Sequence, residues 1–573
     1  MLKSVRSALL HIFQRFSLYR SLLFWPGWTA ITALAIVAPM WLFGGERRES
    51  ESRNARFRWS GANVVALVLL AVFLGGYFTM MLAGEDFDWY DDSQLTGFSV
   101  RGVNFPPPIS AAEGRFYPLS LQEFNVIRYV TTSPAGYQVF SILEIVALAL
   151  LLLVLDWEIS ISARALLIVI ALLTPTLVVS FTGLVYTERS IILLLACLAL
   201  SLQKFERTHA RLWAVAALVS AQVMLYLKEP PFLLLLGLVG ARLILRGKPV
   251  RSWMCEKDSQ LDLCIGALCG LFVAFYLVMI FPHTQAGYLV NQHKSLQETM
   301  RFYLDIDLLV WVFSGVSIVR LARIFRGRAK PDLLWDPLGF GGLVYFATFL
   351  ALGMAHRYYL APADFIAVLY LGNMVFGSWV KMGMAARVGA AALAGIVLCQ
   401  SIPISTYRMI DRKYMIHWKA KVADALIEFY QHDPTRPLKI YFPFSDAWVL
   451  TEFIGYLNYR GLPMQNTREG SLAGSVEVYS PKIEAEGRCT WYSTYVCHLG
   501  TAADSGDLVV ILPDDWILPA QRNAYVSSAA AKALFDQKMQ FPRLVVRVWN
   551  HIRGRWWFWV VDNWPPGYVG IRN

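Results

Sequence analysis

The stretch 61–94, GANVVALVLLAVFLGGYFTMMLAGEDFDWYDDSQ, joins an apolar run to five carboxylates within eight positions, Glu85 to Asp92. Residues 61–83 carry no charge and are long enough to cross a hydrocarbon layer of about 30 Å as a helix. The acids that follow stand at the membrane boundary, where they form a solvated turn, a metal site or the edge of a catalytic centre. The composition agrees with a membrane origin. Of 573 residues, 56% are hydrophobic and 16% charged, and the mean hydropathy is +0.45. That balance fits a polytopic α-helical membrane protein and not a string of soluble domains.

The formal charge of +11 does not point to nucleic acid, because Lys and Arg fall in short groups between apolar runs. Further runs lie at 136–155, 163–185, 189–203, 212–227, 231–245, 260–281, 303–324, 334–355, 358–378 and 386–405. With the segment Ser21–Phe43 they predict about 11–12 transmembrane helices. Residues 1–60 read as an N-terminal amphipathic or anchor segment followed by a basic loop. Ser21–Phe43 is too long for a signal-peptide core and has no small-residue cleavage site before Arg47 and Arg48.

Orientation follows from the basic loops. Arg47, Arg48, Arg53, Arg56 and Arg58 place the connection before residue 61 in the cytoplasm. Alternate crossings then put Lys204/Arg207/Arg211, Arg246/Lys248/Arg251/Lys257, Arg320/Arg323/Arg326/Arg328/Lys330 and Lys381/Arg387 on that same side. The outer side receives a long loop (84–135), Glu188 in YTERS, Lys228 and Glu229 in LKEPPF, the 281–300 loop with His283 and His293, and AHRYYLAPADF with His356, Arg357 and Tyr358. Ionisable groups at membrane depth are functional candidates by default.

Within the long loop, Asp86 and Asp88 form one D-x-D and Asp91 and Asp92 an adjacent pair. Either set supplies a general base or oxygen ligands for a divalent cation such as Mg, Mn or Ca, with Asp88 and Asp91 the candidate metal ligands. The prolines of NFPPPIS force an extended segment. Leu119, Leu121, Phe124, Ile127 and Val130 then form a near-helical stripe, expected as an interfacial helix roofing the acids or packing on the C-terminal part. Lys228 is either half of a Lys228–Glu229 turn pair or a point charge for a lipid-linked phosphate. Arg357 either snorkels or forks onto phosphate. Glu188 is a second carboxylate or a partner for Arg189. The glycines of GFGGL (339–343) sit in an apolar run, as helix-packing glycines do.

Residues 406–573 regain charge. RPLKIYFPF and GDLVVILPDD read as strands and DAWVLTEFIGYLNYRG as a helix ending at Gly461, so an extracytoplasmic α/β or α+β domain is expected. Two of seven cysteines, Cys489 and Cys497, lie close together there and are expected as a disulfide. The aromatic RWWFWVVDNWPPGYVG is a membrane belt or a core strand.

With the frame set, the membrane region 61–405 resembles the GT-C superfamily of integral-membrane glycosyltransferases. The likeness rests on the acidic DFDWYDD in the first outer loop, on juxtamembrane helices there and on Arg-Tyr-x-x-x-Pro, here Arg357 to Pro362. It implies a polyprenyl-phosphate-linked sugar donor, an extracytoplasmic glycan or glycolipid acceptor in contact with membrane lipids, and residence in a bacterial inner membrane. It also implies Asp91 or Asp92 as the base, Asp86 and Asp88 as alternates, and Lys228 and Arg357 on the donor phosphate, with Glu188, Glu229, His293, His356 and Tyr358 near substrate. An O-antigen polymerase or ligase would lean on outer Arg and His instead. A transporter would carry repeated halves and broken helices at mid-membrane, and the sequence has no repeat.

Overall fold

Most of the apolar runs form helices in the computed structural model, which describes residues 24–43, 60–88, 92–105, 107–110, 114–155, 159–284, 294–432, 434, 438–465, 476–483, 487–489, 495–504, 506–512, 529–532 and 568–572. In chain order these are α1 (Phe24–Leu42), α2 (Gly61–Leu82), α3 (Pro134–Val154), α4 (Ile161–Leu172), α5 (Pro175–Thr182), α6 (Glu188–Thr208), α7 (Arg211–Leu227), α8 (Pro231–Leu245), α9 (Lys257–Phe275), α10 (Leu296–Ile306), α11 (Leu308–Phe325), α12 (Trp335–Ala351), α13 (Ala361–Ser378), α14 (Met384–His432) and α15 (Ala447–Tyr459). Six of them are long and apolar enough to span a membrane, and a seventh span arises if α4 and α5 count as one. The architecture is a polytopic helical bundle with a small C-terminal sheet.

The structure redraws three of the runs. The 163–185 run bends by 72° between α4 and α5. Pro175 at the start of α5 holds Thr174 in an extended conformation, since a residue before proline disfavours the helical region. The 303–324 run breaks at Asp307, whose side chain accepts from the Val310 amide at 3.3 Å and so starts α11 afresh. The 386–405 run does not stop at a domain boundary. It continues as one helix of 49 residues to His432. At 1.5 Å per residue this is about 74 Å, far more than a bilayer core, so α14 projects beyond the membrane.

The projecting end meets a six-stranded sheet of order β5-β4-β3-β6-β8-β7. The strands are β3 (Leu438–Tyr441), β4 (Val476–Ser480), β5 (His498–Leu499), β6 (Leu508–Ile511), β7 (Ala529–Lys532) and β8 (Tyr568–Arg572). β3 pairs in parallel with β4 and β6, whereas β8 runs antiparallel to β6 and β7. The two strands and the helix expected from sequence are present, and Gly461 at φ +100° ends the helix. Cys489 and Cys497 form the expected disulfide, with Cα atoms 4.9 Å apart. Of the aromatic tail, only Tyr568 to Gly570 lie within the described residues, in β8.

The sheet region shares its core with the first loop. Phe87, Leu95, Phe105, Phe124 and Ile127 pack in one buried cluster with Met415, Val422 and Leu426 of α14 and Leu450 and Phe453 of α15. The expected roofing helix is reduced to Phe124–Ile127 flanked by turns, because Leu121 sits at φ +64° and interrupts it. Val130, read as part of the buried stripe, is instead 76% exposed.

Close backbone packing sets the distance between two turns of the site. α8 begins just after Lys228–Glu229, and α12 ends just before His356–Arg357. They meet where a Cβ on Gly237 would lie 3.1 Å from the Gly341 Cα, and one on Gly341 only 2.7 Å from the Leu234 carbonyl oxygen. Gly341 is one of the GFGGL glycines expected to serve helix packing. Gly341→Val must therefore push α8 and α12 apart, and it is expected to cost about 1–3 kcal/mol. Gly240→Ala, which meets nothing within 4 Å, serves as the control. Thermal unfolding in detergent measures the difference, and equal midpoints for the two variants would refute the packing argument.

Candidate functional site

The acidic loop is held by cations that come from α14. The Glu85 side chain is fully buried and receives both terminal nitrogens of Arg412, Nη2 at 2.6 Å and Nη1 at 2.9 Å, together with the Lys413 ammonium. The same guanidinium reaches Asp92 Oδ2 at 3.0 Å and, through Nε, Asp88 Oδ2 at 3.2 Å. The other oxygen of Asp92 accepts the Leu184 amide at 2.8 Å, so both of its oxygens are engaged and it is buried. Asp86 accepts the Tyr456 hydroxyl from α15 and lies 3.6 Å from Arg460. Lys419 donates to the Asp88 carbonyl at 2.8 Å. Asp91 and its two preceding residues fall outside the described residues, as does His293.

Sequence reading missed these cations. Arg408, Arg412 and Lys419 recur at i, i+4 and i+11, one face of a helix, but they follow the last apolar run and fall in the stretch read as the C-terminal domain. Arg412 occupies the centre of the carboxylates and supplies positive charge there. No group of three His, Cys, Asp or Glu arranged to hold a metal ion occurs among the described residues.

A second cluster forms where α7 ends. Lys228 pairs with Glu188 at the head of α6, and both are buried. Its ammonium also lies 4.1 Å from the centre of the Tyr359 ring and 5.1 Å from that of Tyr358. The alternative pairings are not made. Glu229 instead accepts the Phe116 amide at 2.8 Å and faces Arg115, while Arg189 pairs with Glu144 at 2.7 Å. Glu229 thus ties the β-hairpin of β1 (Ile109–Ser110) and β2 (Arg115–Phe116) onto the Lys228 turn.

Arg357 and His356 lie beside this cluster in the turn before α13. Arg357 is exposed although protein surrounds it on most sides, and it makes no side-chain hydrogen bond or ion pair among the described residues. Desolvation by the protein packed around it, and then the Arg408 charge, lower its pKa to about 10, which leaves it cationic at neutral pH. Burial, followed by Lys228, Lys294 and Arg357, lowers His356 to about 4, so its imidazole is neutral. Tyr358 stacks on Tyr186 with ring centres 4.2 Å apart.

Segment 182–188 connects the two clusters. Leu184 binds Asp92 at one end and Glu188 binds Lys228 at the other. α14 forms a second connection, since Arg408 and Asp411, whose charges act on Arg357, stand one turn or less from Arg412. A cavity of about 210 Å³ opens against Arg412 and Lys413, walled by Met80, Met81, Met409 and Ile410.

No protein-family model matches the chain, and no curated protein does. Among solved structures it is similar to ArnT from Cupriavidus metallidurans bound to undecaprenyl phosphate, at 12% identity and a TM-score of 0.44 over 83% of this chain and 97% of that one. The apo form of the same protein gives 13% identity and a TM-score of 0.41, over 82% and 97%.

The geometry makes two predictions. Arg412→Met leaves Glu85, Asp88 and Asp92 together without their shared cation and is expected to destabilise the protein by about 3–5 kcal/mol. Arg251→Met, at an exposed arginine outside any ion pair among the described residues, is expected to cost less than about 0.5 kcal/mol. Denaturant titration in detergent compares them, and similar losses would contradict Arg412 as the shared partner of the three carboxylates. For His356, the unfolded imidazole takes its proton near pH 6.5 and the folded one only near 4. Its contribution to stability is complete above pH 6.5 and is lost as pH falls toward 4. His356→Gln should remove that part of the melting-temperature profile, and an unchanged slope would count against a neutral imidazole.

Proposed function

We propose that the chain is an inverting glycosyltransferase of the bacterial inner membrane. It moves a sugar from a polyprenyl-phosphate donor to an extracytoplasmic glycan or glycolipid. The observation that carries this reading is the grouping at one membrane boundary of a carboxylate loop, an exposed arginine with no ion pair among the described residues, a lysine over tyrosine rings and a methionine-walled cavity. The GT-C resemblance of DFDWYDD and of Arg357 to Pro362 points the same way.

In this mechanism an aspartate takes the acceptor hydroxyl proton as the oxygen attacks the anomeric carbon. The bond from that carbon to the phosphate oxygen breaks, and the polyprenyl phosphate leaves with the bonding pair. Arg357 forks onto the phosphate and Lys228 adds a second positive charge as negative charge develops. The Tyr186–Tyr358 stack offers a flat surface for the sugar, and neutral His356 offers a hydrogen bond and no charge. Of the base candidates, Asp92 has both oxygens engaged and Asp86 is bound by Tyr456, which favours Asp91, with the partly exposed Asp88 as alternate.

A deletion strain complemented with variants tests the assignment by mass spectrometry of envelope glycans. Asp91→Asn is expected to lower transfer by about 10²–10⁴-fold with normal protein levels. Arg357→Gln is expected to raise the donor concentration required, and Asp92→Asn to act mainly through stability. An unaltered glycan profile in the deletion strain would overturn the reading, and full activity of Asp91→Asn would move the base to Asp88.

A further inference from the structure

On the boundary opposite the acidic loop, α11 and α13 leave a groove of about 320 Å³ that the glycosyl-transfer reading does not use. Its wall is apolar, formed by Gly315, Val316 and Val319 of α11 and Met374 of α13, and it ends at Arg320 and Arg323. From Gly315 to Arg323 is eight residues of helix, or about 12 Å. The groove lies on the lipid-facing side, since Val319 is 61% exposed and its neighbours Ile318 and Phe325 are 59% and 69% exposed.

The rim is strongly basic. Arg320 is taken by Asp336, which it contacts through both Nε and Nη2, the latter at 2.9 Å from Oδ2. Arg323, in the last turn of α11, and Arg326, Arg328 and Lys330, in the turn between α11 and α12, are exposed. None of these four makes a side-chain hydrogen bond or ion pair among the described residues. Asp332 is occupied by the Leu334 and Trp335 amides, both at 2.9 Å. Trp379 and Lys381, at the end of α13, mark the same boundary as an interfacial depth.

We propose that this groove seats an anionic phospholipid, with the upper part of one acyl chain along Gly315–Val319 and the phosphate at Arg323. Charge complementarity selects the headgroup, because four cations that lack a partner among the described residues face the layer where lipid phosphates lie. The lateral opening selects a lipid over a soluble phosphate, which has no use for an apolar trough. Gly315 lines the trough and a Cβ there meets nothing within 4 Å, so a large side chain at this position would enter the open space. The site is independent of the glycosyl-transfer reading and stands or falls separately from it.

Native mass spectrometry of the full-length protein in detergent, with thermal unfolding in parallel, tests the proposal. Phosphatidylglycerol is expected to remain bound and raise the melting temperature, whereas phosphatidylcholine and glycerol phosphate do neither. Arg323→Gln should weaken phosphatidylglycerol retention about five-fold, as expected for one basic group near a lipid surface. Gly315→Leu, which fills the trough, should lower it further, and Lys294→Gln on the opposite boundary should leave it unchanged. Equal effects of phosphatidylglycerol and phosphatidylcholine would overturn the proposal. So would glycerol phosphate matching the lipid, or Arg323→Gln binding as the wild type does. If Gly315→Leu fails to fold, the Arg323 comparison still decides.

Discussion

The guanidinium of Arg412 allows Glu85, Asp88 and Asp92 to lie together at the edge of a membrane, where three carboxylates would otherwise repel one another and retain their water. One planar cation with five donors suits this task better than a lysine, because it meets carboxylates in several directions at once. Much of the surrounding structure follows from it. α14 must reach past the bilayer to present Arg412, the loop must turn back against α14, and segment 182–188 must come close enough for Leu184 to bind the remaining oxygen of Asp92.

This arrangement makes the C-terminal region part of the site. Tyr456 and Arg460 engage Asp86, Lys419 holds the Asp88 backbone, and aromatic side chains of the loop enter the same core as α15. The loop therefore takes its shape from two sides, one in the bundle and one in the sheet region. A fully solvated acidic turn needs none of these contacts and would be free to sample many shapes.

What was legible in the sequence depended on whether the signal was local. The strands LKIY and LVVI, the helix ending at Gly461, the disulfide and most of the apolar runs announce themselves within about twenty residues and are present, whereas the bend at Pro175 and the break at Asp307 divide two of the runs. Lys228, Glu188 and the Arg357 turn gather at one boundary because the alternation of basic loops is a property of the whole chain. Three features were hidden. The continuation of α14 is masked because its face changes from lipid-facing to polar while its backbone continues unchanged. The partners of Lys228 and Arg189 are set in three dimensions, and adjacent Glu229 and Glu188 are misleading guides to them. The left-handed Leu121 violates the ordinary preference of a branched side chain, so no periodicity announces it.

The two cations proposed for the donor phosphate are not equivalent, and the difference suits the reaction. A sugar phosphodiester carries about one negative charge, whereas the departing monoester approaches two at neutral pH. Arg357 is exposed and, in the proposed reaction, would meet the first charge as soon as the donor arrives. Lys228 is already balanced by Glu188 and rests against Tyr359, so it gains little from a singly charged phosphate. As the bond to the sugar breaks and the second charge develops, the ammonium has more to gain by turning toward the phosphate than by staying with Glu188. An interaction that strengthens along the reaction coordinate accelerates the chemical step, while one already complete in the bound donor only tightens binding. In the proposed reaction, pairing Lys228 with Glu188 in the resting protein would reserve its charge for the transition state.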